Sequence, residues 1–311
     1  MSLEIFLKKF KELEEEDFII LKEIAKKMIY FEAIPLETII KYSKLHENEV
    51  NYRIKRLQSY KLIWKPGGIK RYVLNNLGLD VLAIKKLLDK NILYAMGKKI
   101  GVGKESDVYE GITPNEEKVA LKFFRIGRIS FKKYTRSREY IAEEHNRLIA
   151  SIKAAKKEFE ALKILYKENI KVPKPIARSY HTVVTEIFIG TELSNIAKLE
   201  NAEIVLDKII EELIKISRIG IIHRDLSPYN ILIKPNLEIL FIDWPQWVNK
   251  NHPMAYEYLH RDIENIFRFF KRKWGIEKKY DEIDKIFKEE RNFISKNNRT
   301  ISEEKWRRES F

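Results

Sequence analysis

The residues best suited to phosphoryl transfer lie in the segment GIIHRDLSPYNILI, which runs from Gly220 to Ile233. Asp225 closes an H-R-D triplet, Asn230 follows five residues later, and Asp243 ends the next apolar segment. An aspartate in the first position can accept the proton of an attacking hydroxyl, and the oxygens of the other two can hold Mg²⁺ on nucleotide phosphates. The spacing H-R-D-x-x-x-x-N with a downstream aspartate therefore indicates phosphoryl transfer from ATP.

A glycine pair lies earlier in the chain, in the segment GVGKESDVYEG from Gly101 to Gly111. Glycine has no Cβ, so backbone N–H groups can approach phosphate oxygens closely just before the strand predicted at 107–112. This pattern is weak by itself, because Ser106 replaces the third glycine of G-x-G-x-x-G and no helix opens where a dinucleotide site requires one. The Walker sequence G-x-x-x-x-G-K-[ST] is also absent.

A lysine on an otherwise apolar strand gives a second indication of phosphate chemistry. The segment KVALKFF at 118–124 alternates as a strand, and Lys122 lies on one of its faces. Burying this ammonium is costly unless phosphates, a carboxylate or both accompany it. The helix predicted at 151–167 carries Glu158 at the border of its apolar stripe and Glu160 further round, so Glu158 is the better partner. An ordinary surface glutamate is the alternative interpretation of either residue.

The elements before this region follow the order of a winged helix. The periodicity predicts helices at 5–30, 36–43, 47–60 and 77–88, and a β-hairpin at 62–74. Three helices followed by a hairpin are typical of a helix-turn-helix variant whose third helix and wing meet nucleic acid. A winged helix that serves as a protein–protein module is the alternative. We therefore predict a first domain at 1–92 and a second at 93–311.

The positive charge is concentrated in two stretches. The net charge is +14, and the stretches 51–72 and 122–138 each contain seven basic residues and no acid, which accounts for the whole surplus. Such acid-free stretches favour a phosphate-rich partner, whereas general solubility is the alternative explanation. The nucleic-acid candidates of the winged helix are Arg53, Lys55, Arg56, Lys65, Lys70 and Arg71.

Composition excludes several other classes of protein. The chain has no cysteine, so disulfides, thiolate metal sites and cysteine nucleophiles are excluded. Its six histidines never form H-E-x-x-H, which disfavours a zinc hydrolase. No apolar run approaches the roughly 20 residues that span a bilayer, and the N-terminus MSLEIFLKKF does not resemble a signal peptide. We expect a cytoplasmic protein that does not bind membranes.

These motifs resemble the RIO atypical kinases, and among them the type 2 subfamily that carries an N-terminal winged helix. The most specific are GVGKESDVY with Ser106 in place of a glycine, HRDLSPYN with Ser227 where ordinary kinases have lysine, and IDWPQ where they have D-F-G. The resemblance implies an α+β fold, in which the winged helix precedes a compact, bilobal, protein-kinase-like RIO domain. The N-lobe is expected at about 93–187 and the C-lobe at about 188–311.

The resemblance also implies roles for individual side chains, with ATP and Mg²⁺ as cofactors and Mn²⁺ as an alternative metal. Asp225 is expected to be the catalytic base, and Lys122 to neutralise the phosphates. Asp243, a metal ligand together with Asn230, is expected to accept the γ-phosphate itself, so that the enzyme behaves as an ATPase switch. The expected nucleotide-binding residues are Gly101, Gly103, Lys104, Ser106, Val108, Lys122, Glu158, Glu186, Phe188, Asn230 and Asp243, with Glu186 to Phe188 beside adenine.

Two features depart from ordinary kinases or from the usual RIO pattern, and a third residue, Asp262, has two possible roles. Trp244 and Pro245 follow Asp243 without a glycine, and the short remainder contains no A-P-E, so we expect neither an activation segment nor peptide-binding subdomains. Arg224 stands where RIO proteins usually have glycine, and the sequence assigns it no role. Asp262 either braces the catalytic loop or forms an ordinary surface ion pair.

The partner that the resemblance implies is the small ribosomal subunit precursor with its rRNA. Ser130, Thr135 and Ser137 lie in the second basic stretch and are candidates for self-phosphorylation. Two other functions stay open on the sequence alone. One is a winged-helix DNA-binding regulator whose kinase-like domain senses nucleotide. The other is a small-molecule phosphotransferase, which the basic insertion disfavours.

Overall fold

The computed structural model describes residues 3–67, 70–128 and 138–277. Among these residues the chain divides into two compact units, one that takes in the described parts of 3–159 together with 175–187, and another that takes in 160–174 and 188–277. Each unit combines helices with small antiparallel sheets. No helix in the described ranges combines the length and the apolar composition that crossing a membrane requires.

The first unit begins with the winged helix. Its helices are α1 (Leu3–Leu7), α2 (Glu15–Lys27), α3 (Leu36–Ser43), α4 (Glu47–Ser59) and α5 (Asn76–Asp89), with a 3₁₀ turn at Phe10–Glu12. Its strands are β1 (Ile34–Pro35), β2 (Ile63–Trp64) and β3 (Arg71–Leu74), in the antiparallel order β1-β3-β2. The predicted hairpin is therefore present, and β1 adds a third strand that the sequence analysis did not predict.

The single helix expected at 5–30 is wrong, because the chain breaks before Glu15. Leu13 has extended backbone angles (φ −76°, ψ 138°), and Glu14 and Asp17 form a reciprocal capping box that starts α2. In that box the Glu14 N–H donates to Oδ2 of Asp17 at 3.0 Å. Capping boxes of this kind satisfy backbone donors that a helix start would otherwise leave unpaired, so they favour a new helix here.

A five-stranded antiparallel sheet completes the first unit. Its strands are β4 (Ala95–Val102), β5 (Ser106–Ile112), β6 (Lys118–Phe124), β7 (Pro175–Ser179) and β8 (Thr182–Glu186), in the order β4-β5-β6-β8-β7. The register of β4 on β5 shifts twice between Met96 and Gly101, so this edge is irregular next to the glycine pair. Helix α6 (Arg138–Lys167) is thirteen residues longer at its start than the predicted 151–167, because its charged first half hides the apolar stripe.

One hydrophobic core runs through the whole first unit, from Leu3 in α1 to Val184 in β8. It continues across the boundary expected at residues 92 and 93, where Leu93 packs on the sheet. Gly111 makes this packing possible, since a Cβ there would lie 2.9 Å from Cδ1 of Leu93 and closer still to Leu121. The winged helix and the sheet therefore share buried side chains.

The second unit carries helices α7 (Ala202–Ile219) and α8 (Ala255–Trp274) and two small antiparallel sheets. Its strands are β9 (Thr191–Glu192), β10 (Ile221–Ile222), β11 (Ile231–Ile233), β12 (Ile239–Phe241) and β13 (Val248–Asn249), paired as β12-β11-β9 and β10-β13. Helix α7 ends at Gly220 (φ +94°), a left-handed C-cap that glycine adopts without strain. Short 3₁₀ turns occupy Leu193–Asn195 and Pro228–Asn230.

Candidate active site

The catalytic loop connects β10 to β11 and presents Asp225 to solvent. Two contacts fix the loop after Asp225. The side-chain Nδ2 of Asn230 donates to the Asp225 carbonyl at 2.8 Å, and the Asn230 N–H donates to the Ser227 carbonyl at 2.9 Å. The loop is therefore folded back on itself, and the exposed carboxylate of Asp225 stands on a fixed backbone.

The pairing of β11 with β12 places Asn230, just before β11, beside Ile242 and Asp243, just after β12. Ile231 pairs with Phe241, and the Ile242 N–H donates to the Asn230 carbonyl at 2.9 Å. Asp243 follows at once with φ +70°, a left-handed conformation that is strained for a residue with a Cβ. Residues with left-handed backbone angles cluster at functional positions, where the surrounding structure holds the backbone in that conformation.

Trp244 follows Asp243 and occupies the position at which ordinary kinases have the phenylalanine of D-F-G. Trp244 is fully buried, and its ring packs against the ring of His223 with centroids 4.4 Å apart. His223 is in turn held by a hydrogen bond of 3.1 Å between its Nε2 and the Ile242 carbonyl. The histidine of H-R-D thus joins the catalytic loop to the segment that carries Asp243.

Asp262 on α8 is buried and braces the catalytic loop, so the interpretation as a surface ion pair is wrong. Its Oδ2 accepts a hydrogen bond from the Arg224 N–H at 2.7 Å, and its Oδ1 accepts one from the Leu226 N–H at 3.1 Å. These two donors flank Asp225. Burial raises the pKa of Asp262 to about 7, although the two N–H groups act in the opposite direction.

Arg224, which had no role in the sequence analysis, acts through its backbone and its contact with α8. Its φ is +72°, the left-handed region that glycine adopts without strain, which accounts for the glycine usual at this position in RIO proteins. The arginine side chain lies over the ring of Tyr258, with Cζ 4.9 Å from the centroid. This cation–π contact offsets part of the backbone strain.

The residues of the second unit fit a magnesium ion. Because the Asn230 amide nitrogen is used by the Asp225 carbonyl, the amide oxygen is the atom left for a metal. Together with the Asp243 carboxylate it offers the hard oxygen donors that Mg²⁺ prefers, with the remaining positions open to phosphates and water. When bound, such an ion supplies charge neutralisation at the phosphates. No group of three or more His, Cys, Asp or Glu side chains suited to a metal occurs among the described residues.

Lys122 and Glu158 form an ion pair in the first unit. Nζ of Lys122 lies 2.6 Å from Oε2 of Glu158, the carboxylate that the helical spacing favours, while Glu160 is exposed. Glu158 is 3% exposed. Glu158 therefore fixes the ammonium group of Lys122 on the face of β6 that the strand pattern predicts.

The glycine pair lies in the hairpin between β4 and β5. The Gly103 N–H donates to the Ser106 carbonyl at 2.8 Å, which leaves Lys104 exposed at the tip. Gly101 pairs with Val108, and Val108 pairs in turn with Lys122 on β6. The hairpin residues expected to contact the nucleotide are therefore direct neighbours of the lysine.

Asp107 anchors the base of this hairpin, a feature that the sequence analysis did not find. Its carboxylate is buried and accepts hydrogen bonds from Arg125 at 3.3 Å and from Arg128. Burial alone would raise the pKa of Asp107, but the Arg128 hydrogen bond and the Arg125 charge hold it below its usual value. Arg128 also donates to the Gly103 carbonyl at 3.4 Å.

The two residues expected beside adenine are placed in different units. Glu186 ends β8 and is exposed. In the second unit, Phe188 packs so closely on Gly190 that a Cβ there would lie 2.6 Å from Cε1 of its ring, and Nζ of Lys234 lies 4.4 Å from the ring centroid. The sequence analysis does not predict the close contact of Gly190 with Phe188. The only signal for it is the position of this glycine, two residues after Phe188.

Two of the nucleic-acid candidates pair with carboxylates within the fold. Arg53 and Arg56 do not project from α4 into solvent but contact acids of α2 and its N-cap. Arg53 is buried, with Nη2 2.8 Å from Oε2 of Glu14, and Arg56 binds the same carboxylate. These hydrogen bonds lower the pKa of Glu14 to about 2. The two arginines of this acid-free stretch therefore pair with carboxylates that lie outside it, Glu14 for both and Glu49 for Arg53.

The other four candidates, Lys55, Lys65, Lys70 and Arg71, are exposed and form no ion pair within the described residues. In the second basic stretch, as for the two arginines of α4, the basic side chains are paired: Lys122, Arg125 and Arg128 all contact carboxylates. The rest of that stretch up to residue 137, with Ser130, Thr135 and Ser137, lies outside the described residues. Of the six candidates, the three on the wing and Lys55 of α4 are therefore those without an ion pair in the described part of the chain.

Comparison with known proteins identifies the family to which this chain belongs. The family signature "RIO domain" matches residues 107–283, more than half of the chain, and the signature "Rio2, N-terminal" matches residues 10–90. The chain belongs to the RIO family. The predicted fold class, a winged helix followed by a kinase-like RIO domain, and the predicted enzyme class, an atypical serine/threonine-protein kinase, are thereby confirmed.

Individual members of the RIO family match most of this chain. The RIO-type serine/threonine-protein kinase Rio2 of Methanocaldococcus jannaschii is 40% identical over 269 residues, which are 84% of this chain and 98% of that protein. RIO2 of Saccharomyces cerevisiae is 32% identical over 86% of this chain, which spans only 66% of that longer protein.

A solved relative points to the same cofactors. The Rio2 kinase of Chaetomium thermophilum, crystallised as an ADP/Mg²⁺-phosphoaspartate complex, superimposes with a TM-score of 0.78 at 30% identity and covers 87% of this chain and 84% of its own. The prediction of ATP and Mg²⁺ agrees with that complex.

Proposed function

We propose that this chain is an ATP- and Mg²⁺-dependent enzyme that transfers the γ-phosphate to serine or to water, and that it acts in maturation of the small ribosomal subunit. The observation that carries the catalytic part is the fixed catalytic loop. Asp262 holds the N–H groups on either side of Asp225, and Asn230 holds the Asp225 carbonyl. Preorganisation of this kind is what a catalytic base requires.

The proposed roles follow from the chemistry of each group. The acceptor oxygen bonds to the γ-phosphorus as the bond to ADP breaks, and its proton passes to Asp225. Asn230 and Asp243 supply oxygen ligands for Mg²⁺, and Lys122, held by Glu158, neutralises phosphate charge. Gly101, Gly103, Lys104, Ser106 and Val108 contact the nucleotide.

Asp243 is proposed to act as a phosphate acceptor as well. One carboxylate oxygen displaces ADP from the γ-phosphorus to give an acyl-phosphate, which water then hydrolyses to aspartate and inorganic phosphate. The phosphoaspartate of the Chaetomium thermophilum relative supports this step, and so does the strained backbone of Asp243. The enzyme would then couple its bound state to ATP hydrolysis.

The ribosomal part of the proposal rests on charge. The winged helix carries exposed basic side chains that suit rRNA phosphates, namely Lys55, Lys65, Lys70 and Arg71. A cytoplasmic location belongs to the same proposal. Both parts are open to direct test.

The catalytic proposal is tested by ATP turnover of Asp225→Ala. We expect a loss of about 100-fold or more, because a positioned base contributes about 10²–10⁴. Asp89→Asn, on the exposed end of α5, is the control and should keep full turnover. Unchanged turnover in Asp225→Ala would remove Asp225 from the mechanism.

The partner is tested by purifying Asp243→Ala from cells and sequencing the RNA that accompanies it. Without the acceptor the enzyme should remain in one bound state and retain small-subunit rRNA. Sequence-specific binding to duplex DNA, with no rRNA recovered, would instead identify a DNA-binding regulator.

A further inference from the structure

A cavity of about 580 Å³ opens in the second unit beside the catalytic loop. Ser227 and Tyr229 of the loop form one wall, and Asn265, Arg268, Arg272 and Lys273 of α8 form the other. Ser227 and Tyr229 follow Asp225 by two and four residues. A ligand in this cavity therefore lies next to the segment that presents the catalytic base.

Hydrogen bonds fix the cavity wall to the catalytic loop. Nδ2 of Asn265 donates to the Leu226 carbonyl at 3.4 Å, and the Leu226 N–H donates to Asp262 one turn earlier on α8. One helix thus positions both the base and the cavity, and the two keep a constant separation.

The cavity is strongly cationic. Arg268, Arg272 and Lys273 line it, and no acidic residue is among its described lining residues. Arg268 shares its charge with Glu264 at 3.3 Å, and Nζ of Lys273 donates to the Ser194 carbonyl at 2.7 Å. Arg272 is exposed, and neither it nor Lys273 forms an ion pair within the described residues. Cations with no carboxylate partner favour a negatively charged ligand.

We propose that this cavity binds acidic side chains of a protein acceptor, so that the enzyme prefers serines flanked by aspartate or glutamate. This inference rests on the proposed function, in which Asp225 accepts the proton of a serine hydroxyl. The occupant is the chain that carries this hydroxyl, because the loop that holds the base also forms a wall of the cavity. An extended peptide advances about 3.3 Å per residue, so the acidic residues lie within a few positions of the serine.

The test is equilibrium binding of two fluorescein-labelled peptides, measured by anisotropy. One peptide carries aspartate and glutamate on both sides of a single serine, and the other replaces them by asparagine and glutamine. We expect the unmodified enzyme to bind the acidic peptide at least about tenfold more tightly. In Arg272→Glu this preference should fall to about twofold or less.

Lys271→Glu is the matched control, because Lys271 is the exposed neighbour on the same helix, does not line the cavity and pairs with Glu277. It makes the same change of net charge and should keep the preference. Equal losses in both variants, or no preference in the unmodified enzyme, would overturn the proposal. Single-stranded RNA can also be tested as a competitor of the labelled peptide. If Arg272→Glu weakens RNA binding more than it weakens peptide binding, the proposal is overturned and the cavity is assigned to a nucleic-acid strand.

Turnover of ATP without peptide separates this proposal from the proposed function. Arg272→Glu should hydrolyse ATP at the unmodified rate, because Arg272 contacts none of the residues assigned to phosphate or metal. An unmodified enzyme that binds the acidic peptide selectively but shows no turnover would contradict the proposed function and leave the cavity assignment standing.

Discussion

Arg125 and Asp80 are joined by two parallel hydrogen bonds, Nη1 to Oδ1 and Nη2 to Oδ2, each 2.8 Å long. Asp80 belongs to α5 of the winged helix, whereas Arg125 follows β6 of the sheet. Nε2 of His181 lies 2.7 Å from Oδ1 of Asp80, and Asp107 binds Arg125 from the other side. A buried charged network therefore connects the winged helix to the base of the glycine hairpin.

We expect Asp80→Asn to lower the free energy of unfolding by about 3–5 kcal/mol, because it leaves the Arg125 guanidinium buried without its main counter-charge. Chemical denaturation of the full chain measures this change. Asp89→Asn removes the exposed pair with Lys85 on the same helix, and its cost should not exceed about 1 kcal/mol. Similar costs for the two variants would show that the Asp80 pair contributes no more than a surface pair.

The raised pKa of Asp262 predicts a pH dependence of stability. Because the folded protein holds this proton up to about pH 7, whereas the group ordinarily loses it near 3.8, its favourable contribution is complete below about pH 4. That contribution is lost as the pH rises through 7. Denaturation of the unmodified chain and of Asp262→Asn, without nucleotide, should show a difference in unfolding free energy that declines across this range. Parallel profiles would contradict the raised pKa.

Replacing Arg224 by glycine should change the unfolding free energy by no more than about 1.5 kcal/mol. Glycine relieves left-handed strain of about 1–2 kcal/mol, and the lost contact with Tyr258 removes about 0.5–1 kcal/mol. Arg224→Ala keeps the strain and loses the contact, so it should be clearly less stable than Arg224→Gly. Thermal denaturation compares the two, and equal stabilities would show that φ at this position carries no cost.

Glu158→Gln should raise the KM for ATP about tenfold, because Lys122 loses the carboxylate that holds its ammonium. Glu160→Gln on the same helix removes an exposed carboxylate and should leave the KM unchanged. Initial-rate measurements over a range of ATP concentrations test both variants. A rise of similar size in Glu160→Gln would show that general helix charge, and not the pair, is responsible.

Local patterns were sufficient where the relevant partners lie on regular elements. Strand alternation placed Lys122 and helical spacing selected Glu158, and the H-R-D spacing located Asp225 and Asn230 on one short loop. These predictions needed only the periods of a strand and a helix and the known geometry of a motif.

Long-range electrostatics could not be predicted in the same way. The acid-free stretch 51–72 predicts that Arg53 and Arg56 meet nucleic acid. Glu49, four residues before Arg53, pairs with it, but Glu14, about forty residues away, binds both arginines. The network of Asp80, Arg125 and His181 joins residues separated by 45 and 101 positions. Such pairs exist only after the chain has folded, and a single sequence carries no local signal for them.

The continuous core from Leu3 to Val184 determines how this chain can be divided. A fragment that starts at residue 93 would expose Leu93 and the neighbouring sheet face. In this fragment the buried guanidinium of Arg125 would also lack its counter-charge, Asp80. The amino-terminal module is therefore not a detachable accessory. It supplies buried contacts to the sheet and the counter-charge of Arg125, so we expect the winged helix and the hairpin of β4 and β5 to unfold together.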